Sequence, residues 1–171
     1  VVRAASNGTD CENSPAARKF EQEFKASTAE LKKINGDGTD QKLKAELLAM
    51  RKVDQDIRAK AFSSATAERE LAPELRKTDA RLTQQLQKIV AEQGWPTTAR
   101  VGIEASRSAA LILIHSPHHD FQRRLLPELE KLVQEKKIVG SDIATLIDKN
   151  LVAKAGRSVL VRSFPRKVLA R

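Results

Sequence analysis

Five polar residues set the chemical question for this chain: Asp54, Arg58, Asp79, His115 and Asp148. Asp54 falls among Leu43, Leu47, Met50, Ile57 and Ala61, apolar positions that recur at helical spacing. A carboxylate on such a stripe is costly unless it is paired or hydrogen-bonded. Arg51 and Arg58 lie three before and four after it, within reach along the helix surface. Asp79 repeats the pattern, four after Leu75 and three before Leu82, with Arg76 as a nearby cation. His115 closes the longest apolar run, Ala109–Ile114, where the negative end of a helix dipole favours a protonated ring. Asp148 stands near the inner edge of the last helical stretch. Asp54 or Asp79 as a general base, His115 as a base or acid beside it and Arg58 on an anion would make a hydrolytic pocket. The same residues also serve a structural network, with an Asp54–Arg58 pair ordering the packing and His115 donating to a backbone carbonyl.

Other chemistries lack their signatures. His118 and His119 are adjacent, whereas helical metal pairs prefer a spacing of three or four. There is no H-E-x-x-H, C-x-x-C, Gly-rich phosphate loop or G-x-S-x-G, so neither a metal nor a cofactor is expected. The single cysteine, Cys11, excludes an internal disulfide. The chain has 31 Lys and Arg against 22 Asp and Glu, a net charge of +9, which suits nucleic acid, an anionic surface or an acidic protein. Aromatic residues are 4%, with no Tyr, so stacking platforms for nucleic acid are missing and that reading rests on charge alone.

The elements that must position these residues are helical. Ala, Leu, Lys, Gln, Glu and Arg dominate, and 171 residues suffice for one core. The pattern predicts a mainly α, single-domain bundle of about six helices with a short C-terminal strand or extended arm over Ser158–Phe164. Residues 1–13 read as a disordered segment, 14–164 as the helical domain and 165–171 as a basic tail. Ser14-Pro15 starts a first helix with Phe20, Phe24, Leu31 and Ile34 on one face; Asn35–Gly38 ends it. Thr39 or Asp40 caps the second. Residues 63–72 read as a loop or loose turn, and Pro73 opens a third helix that Gly94 ends. Trp95-Pro96 is an extended turn, expected to lie over the polar cluster. Gly102, Ala105 and Ala109 allow close approach to a central helix that runs to His115. Ser116-Pro117 breaks it. Pro127 kinks or restarts the next helix, and Gly140–Asp142 begins the last, with Ile143, Ile147 and Leu151 inward.

Met50-Arg51, Asp54-Gln55, Arg58, Asp79, Gly94-Trp95-Pro96, Val101-Gly102, His115, Phe121-Gln122 and Asp148-Lys149 occur in an order that resembles a bacterial domain family of unknown function. That family reads M-R-x-x-D-Q-x-x-R, D, G-W-P, V-G, Q-H-A-D, F-Q, D-R and a terminal Y-G-T-Q. The resemblance covers about residues 45–164. This chain has Ile114–Pro117 in place of Q-H-A-D, Asp148-Lys149 in place of D-R, and lacks Y-G-T-Q. The resemblance implies a mainly helical domain with a polar cluster of Asp54, Arg58, Asp79, His115 and Asp148, and supplies no activity.

The sequence therefore supports first a protein-binding module, of the inhibitor or immunity type, whose partner is another protein. A hydrolase using the Asp/His/Arg pocket is the alternative, and a nucleic-acid binder the second alternative. A periplasmic or secreted location is expected from the missing initiator Met and the Lys/Ala/Gln-rich composition, with the cytoplasm as the alternative. No apolar run approaches the length of a membrane span.

Overall fold

The computed structural model describes residues 14–155. Within them the chain is an all-α single domain of seven helices: α1 (Pro15–Asn35), α2 (Gln41–Ala61), α3 (Ala65–Gln93), α4 (Thr98–Val101), α5 (Ile103–His115), α6 (His119–Gln134) and α7 (Gly140–Ala155). The expected N-terminal disorder, the strand over Ser158–Phe164 and the basic tail lie outside the described residues.

Local signals set most of the helix starts. Ser14 accepts from the Ala17 amide at 3.1 Å, and Asp40 accepts from Leu43 at 3.0 Å. Ser64 caps α3 by accepting from Ala67 at 3.1 Å. That cap explains a correction: residues 65–72 are helical, and Pro73 lies inside α3 instead of opening it. A serine cap offsets part of what an internal proline costs. Pro127 likewise lies inside α6, which runs on without a restart. The seventh helix arises because Gly102, at φ 79°, separates the single turn α4 from α5.

α5 is the central element. Ala105, Ala109 and Leu113 are fully buried, and α2, α3, α4 and α7 all pack on it. The α2 stripe is buried as its spacing predicts, from Leu43 to Ala61, with Asp54 inside it. α3 contributes Leu82, Leu86 and Ile89. Each such leucine removed from water contributes roughly 2 kcal/mol. Two faces differ from expectation. Phe20 and Ile34 of α1 are exposed, and only Leu31 is buried there, against Ile103 and Val139. On α7 the inner positions are Ile143 and Leu146, while Leu151 is exposed.

The direction of the helices matters for the site. Arg51 meets Glu104 near the start of α5, and Asp54 and Arg58 meet His115 at its end, so α2 and α5 run the same way. Asp142 pairs with Arg107, and Lys149 donates to the Ile114 carbonyl, so α7 runs the same way too. α2 and α7 flank α5 without packing closely on each other.

The backbone crossing between the α1–α2 turn and Gly102 is unusually close. Gly38 has φ 90°, and a Cβ there would stand 2.4 Å from the Gly102 nitrogen and 2.5 Å from the Val101 carbonyl carbon. Backbone cannot yield as a side chain end can. Gly38→Ala is expected to cost more than about 2 kcal/mol in denaturant unfolding. Gly36→Ala, at φ 74° with nothing within 4 Å, is expected to cost only about 1 kcal/mol. Equal losses in the two variants would contradict the close crossing.

Candidate functional site

Four of the five sequence candidates meet at the C-terminal end of α5. Arg58 is the hub. Its Nε donates to Asp54 Oδ1 at 3.1 Å, and its Nη2 donates to Asp79 Oδ1 at 2.5 Å, so one guanidinium ties α2 to α3. His115 Nδ1 lies 2.8 Å from Asp54 Oδ1 and 3.0 Å from Arg58 Nε. Gln55 Nε2 donates to the other Asp54 oxygen at 2.7 Å. The Asp54 side chain is 1% exposed, while those of Asp79, Arg58 and His115 are 15%, 17% and 21% exposed.

Those distances allow two neutral tautomers of His115, and the contact with Asp54 favours the one with the proton on Nδ1. Nδ1 either accepts from Arg58 or donates to Asp54. Were it bare, its lone pair would face a carboxylate oxygen at 2.8 Å, a repulsive contact. With the proton on Nδ1, His115 donates to Asp54 and Arg58 Nε is still satisfied by the same oxygen. Nε2 then carries the free lone pair. It has no hydrogen-bond partner among the described residues and is not among the buried unpartnered atoms. This is the arrangement in which a buried carboxylate orients an imidazole for proton transfer.

The acids divide by environment. Burial pushes the Asp54 carboxyl up, but the hydrogen bond from His115 and the charge of that ring when protonated, with the Gln55 hydrogen bond and the Arg58 charge, outweigh it and hold the group below the ordinary aspartate range. Burial wins at Asp79, which is raised despite Arg58. Asp54 therefore binds a proton less readily folded than unfolded. Its contribution to stability is complete above about pH 4 and is lost as pH falls through its folded value. Asp79 acts in the opposite sense, since its raised value makes stability fall as pH rises from about 4 through that value. Asp54→Asn is expected to flatten the loss of stability below about pH 4, read from urea midpoints at stepped pH. A wild-type slope in the variant would show that Asp54 is not the group concerned.

Side chains from α6 and α7 secure the end of α5. Gln122, fully buried, donates from Nε2 to the carbonyls of Leu113 at 2.8 Å and Ser116 at 3.2 Å. Its Oε1 lies 3.0 Å from His119 Nδ1 and 3.3 Å from Asn150 Nδ2. Lys149 donates to the Ile114 carbonyl. Partial desolvation, and then the charge of Arg58, lower the Lys149 pKa below the ordinary lysine range. These contacts satisfy carbonyls that a helix end leaves open. Sequence reasoning left Gln55, Gln122 and Lys149 out of the site. The only signal for them is that each adjoins or completes one of the short polar motifs.

Two expectations are corrected. Asp148 is not joined to the other four by any hydrogen bond or ion pair among the described residues, and its Oδ1 is buried without a partner. It lies on a different side of α7 from Lys149, one residue and about 100° away. Trp95 does not cover the cluster. It packs near Ser106, Arg107 and Ala110, toward the other end of α5, beside Ile138 and Val139. Asp79 takes Arg58 as its partner, and Arg76 is exposed. Among the described residues no group of three His, Cys, Asp or Glu side chains is placed to hold a metal ion, and no helix is long and apolar enough to cross a membrane.

Fold and site together define an all-α single-domain protein built around an aspartate-bound histidine at the end of its central helix. The chain belongs to a family of unknown function (DUF6624), whose model matches residues 41–162 and so spans all five candidate residues. α1 lies outside that match. No curated protein and no solved structure matches the chain.

Proposed function

We propose that the chain is a hydrolase in which Nε2 of His115 is the general base. The observation that carries this reading is the 2.8 Å contact of His115 Nδ1 with buried Asp54, which leaves Nε2 without a partner among the described residues. A water held at Nε2 gives up a proton to the ring as its oxygen bonds to the electrophilic carbon or phosphorus of the substrate. The bond to the leaving group then breaks, and the imidazolium returns the proton to that group. Asp54 is shut off from substrate, so its role is to orient the ring and stabilise the imidazolium, not to act as the base. Arg58 balances the Asp54 and Asp79 charges and is a positioning residue. The test is a panel of ester, amide and phosphoester substrates offered to wild type and His115→Ala. Turnover confined to the protein with the imidazole supports the reading; equal rates, or none in either protein, contradict it.

The second reading is a protein-binding module in which the four-residue network only fixes helix register. The exposed rings of Phe20 and Phe62 favour it, since such residues anchor interfaces.

A further inference from the structure

A shallow hollow of about 70 Å³ lies along α5, between α2 and α7, and none of the four site residues lines it. Its lining is Arg51 from α2, Arg107, Leu111 and Ile114 from α5, and Asp142 from α7. Arg51 precedes Arg58 by seven positions, Arg107 precedes His115 by eight, and Asp142 precedes Lys149 by seven. On three helices that run the same way, these offsets put the charged rim of the hollow about 11 Å along the bundle from the histidine, which is turned about 80° from Arg107 toward α2. Ile114 belongs to both places, since it lines the hollow and its carbonyl receives Lys149.

The two arginines differ in how they are held. Arg107 is fixed, with Nε and Nη2 on the Asp142 carboxylate at 3.1 and 3.3 Å and its guanidinium 4.9 Å from the Phe24 ring centroid. Among the described residues Arg51 has one partner, Glu104 at 3.1 Å, and that glutamate side chain is 64% exposed. An ion pair so open to water contributes little and exchanges readily. Beyond the guanidinium groups and the Asp142 carboxylate, the floor is apolar, formed by Leu111 and Ile114.

We propose that this hollow is the substrate's anchoring subsite, and that the substrate carries an oxyanion, carboxylate or phosphate, on a short apolar stem directed toward His115. The proposal rests on the hydrolytic reading of His115 and extends it to a substrate class. The anion takes Arg51 from Glu104 and meets the outer edge of Arg107, while the stem lies on Leu111 and Ile114. Asp142 repels a second negative group, so a compact singly anchored end is preferred to a polyanion.

Binding separates this proposal from catalysis. Hexyl phosphate and hexanoate are titrated into the protein, with hexanol and inorganic phosphate as controls, and backbone amide shifts are followed by NMR. The expected result is saturable shifts at Arg51, Arg107 and Leu111 with at least one of the two amphiphilic anions, and weaker binding of both controls. Arg51→Gln, which removes only an exposed pair, is expected to weaken binding about tenfold. Glu104→Gln, which frees Arg51, is expected to tighten it about two- to threefold. His115→Ala is expected to bind as wild type does. Failure of both anions to bind, or binding unchanged in Arg51→Gln and Glu104→Gln, overturns the subsite and leaves the histidine reading intact. Binding as described, with turnover indifferent to His115, overturns the hydrolytic reading and leaves the subsite.

Discussion

His115→Ala is expected to lower turnover by about 10²–10⁴-fold while the protein stays folded. The ring is 21% exposed, and its polar contacts are with Asp54 and Arg58. Its removal takes one hydrogen bond from Asp54, but Arg58 Nε and Gln55 Nε2 remain on that carboxylate at 3.1 and 2.7 Å. The stability cost is therefore about 2 kcal/mol, the worth of one hydrogen bond to a charged group. This asymmetry separates the two readings of the cluster. A network that only sets helix register would lose stability and no chemistry. Paired measurements of turnover and of the thermal midpoint on the same preparation check it. A large fall in midpoint with unchanged turnover would return the site to a structural role.

Arg58→Ala is expected to have the opposite signature, with a loss of about 3–5 kcal/mol. Arg58 is the only cation in direct contact with both Asp54 and Asp79 among the described residues. Without it, a carboxylate that is 1% exposed keeps its charge in the interior with only His115 and Gln55 as partners. Breaking one side of a buried pair costs far more than the pair itself contributes. Arg58→Lys is expected to recover only part of the loss, because an ammonium is a point charge and cannot bridge two carboxylates with a planar fork. Urea unfolding of the three proteins at neutral pH reads the order wild type, Lys, Ala. A lysine variant as stable as wild type would show that charge alone, without the fork, holds α2 to α3.

The sequence makes the cluster legible for a simple reason. Asp54 and Asp79 sit on helical stripes that otherwise hold only apolar residues, and a solitary charge on such a stripe has to be answered by a partner. Arg58 is one turn away from Asp54, so half of the answer is local. The contact of Arg58 with Asp79 spans 21 residues and follows from packing, which periodicity does not encode. Asp148 shows the limit: an inner-edge position on α7 says nothing about which neighbour it faces, and Lys149, one residue on, is the side chain that reaches α5. The misplaced Trp95 has the same origin, since closeness along the chain to α5 does not say which end of that helix the turn covers. The start of α3 was hidden because Pro73 outweighs a single serine in any local reading, whereas the Ser64 cap and the tertiary packing of Leu82, Leu86 and Ile89 carry the helix through it. The arginine hollow has no sequence signature, because Arg51, Arg107 and Asp142 come from three helices that only packing brings together.

The state of the His115 ring decides between a poised base and a structural link. Nitrogen-15 NMR of the imidazole, in protein labelled at histidine and held at a pH where the ring is neutral, reports which nitrogen bears the proton. The account predicts a protonated Nδ1 bound to Asp54 and an unprotonated Nε2, with the Nδ1 proton signal lost in Asp54→Asn. A proton on Nε2, with Nδ1 accepting from Arg58, would leave no lone pair to take a proton from water and would contradict it.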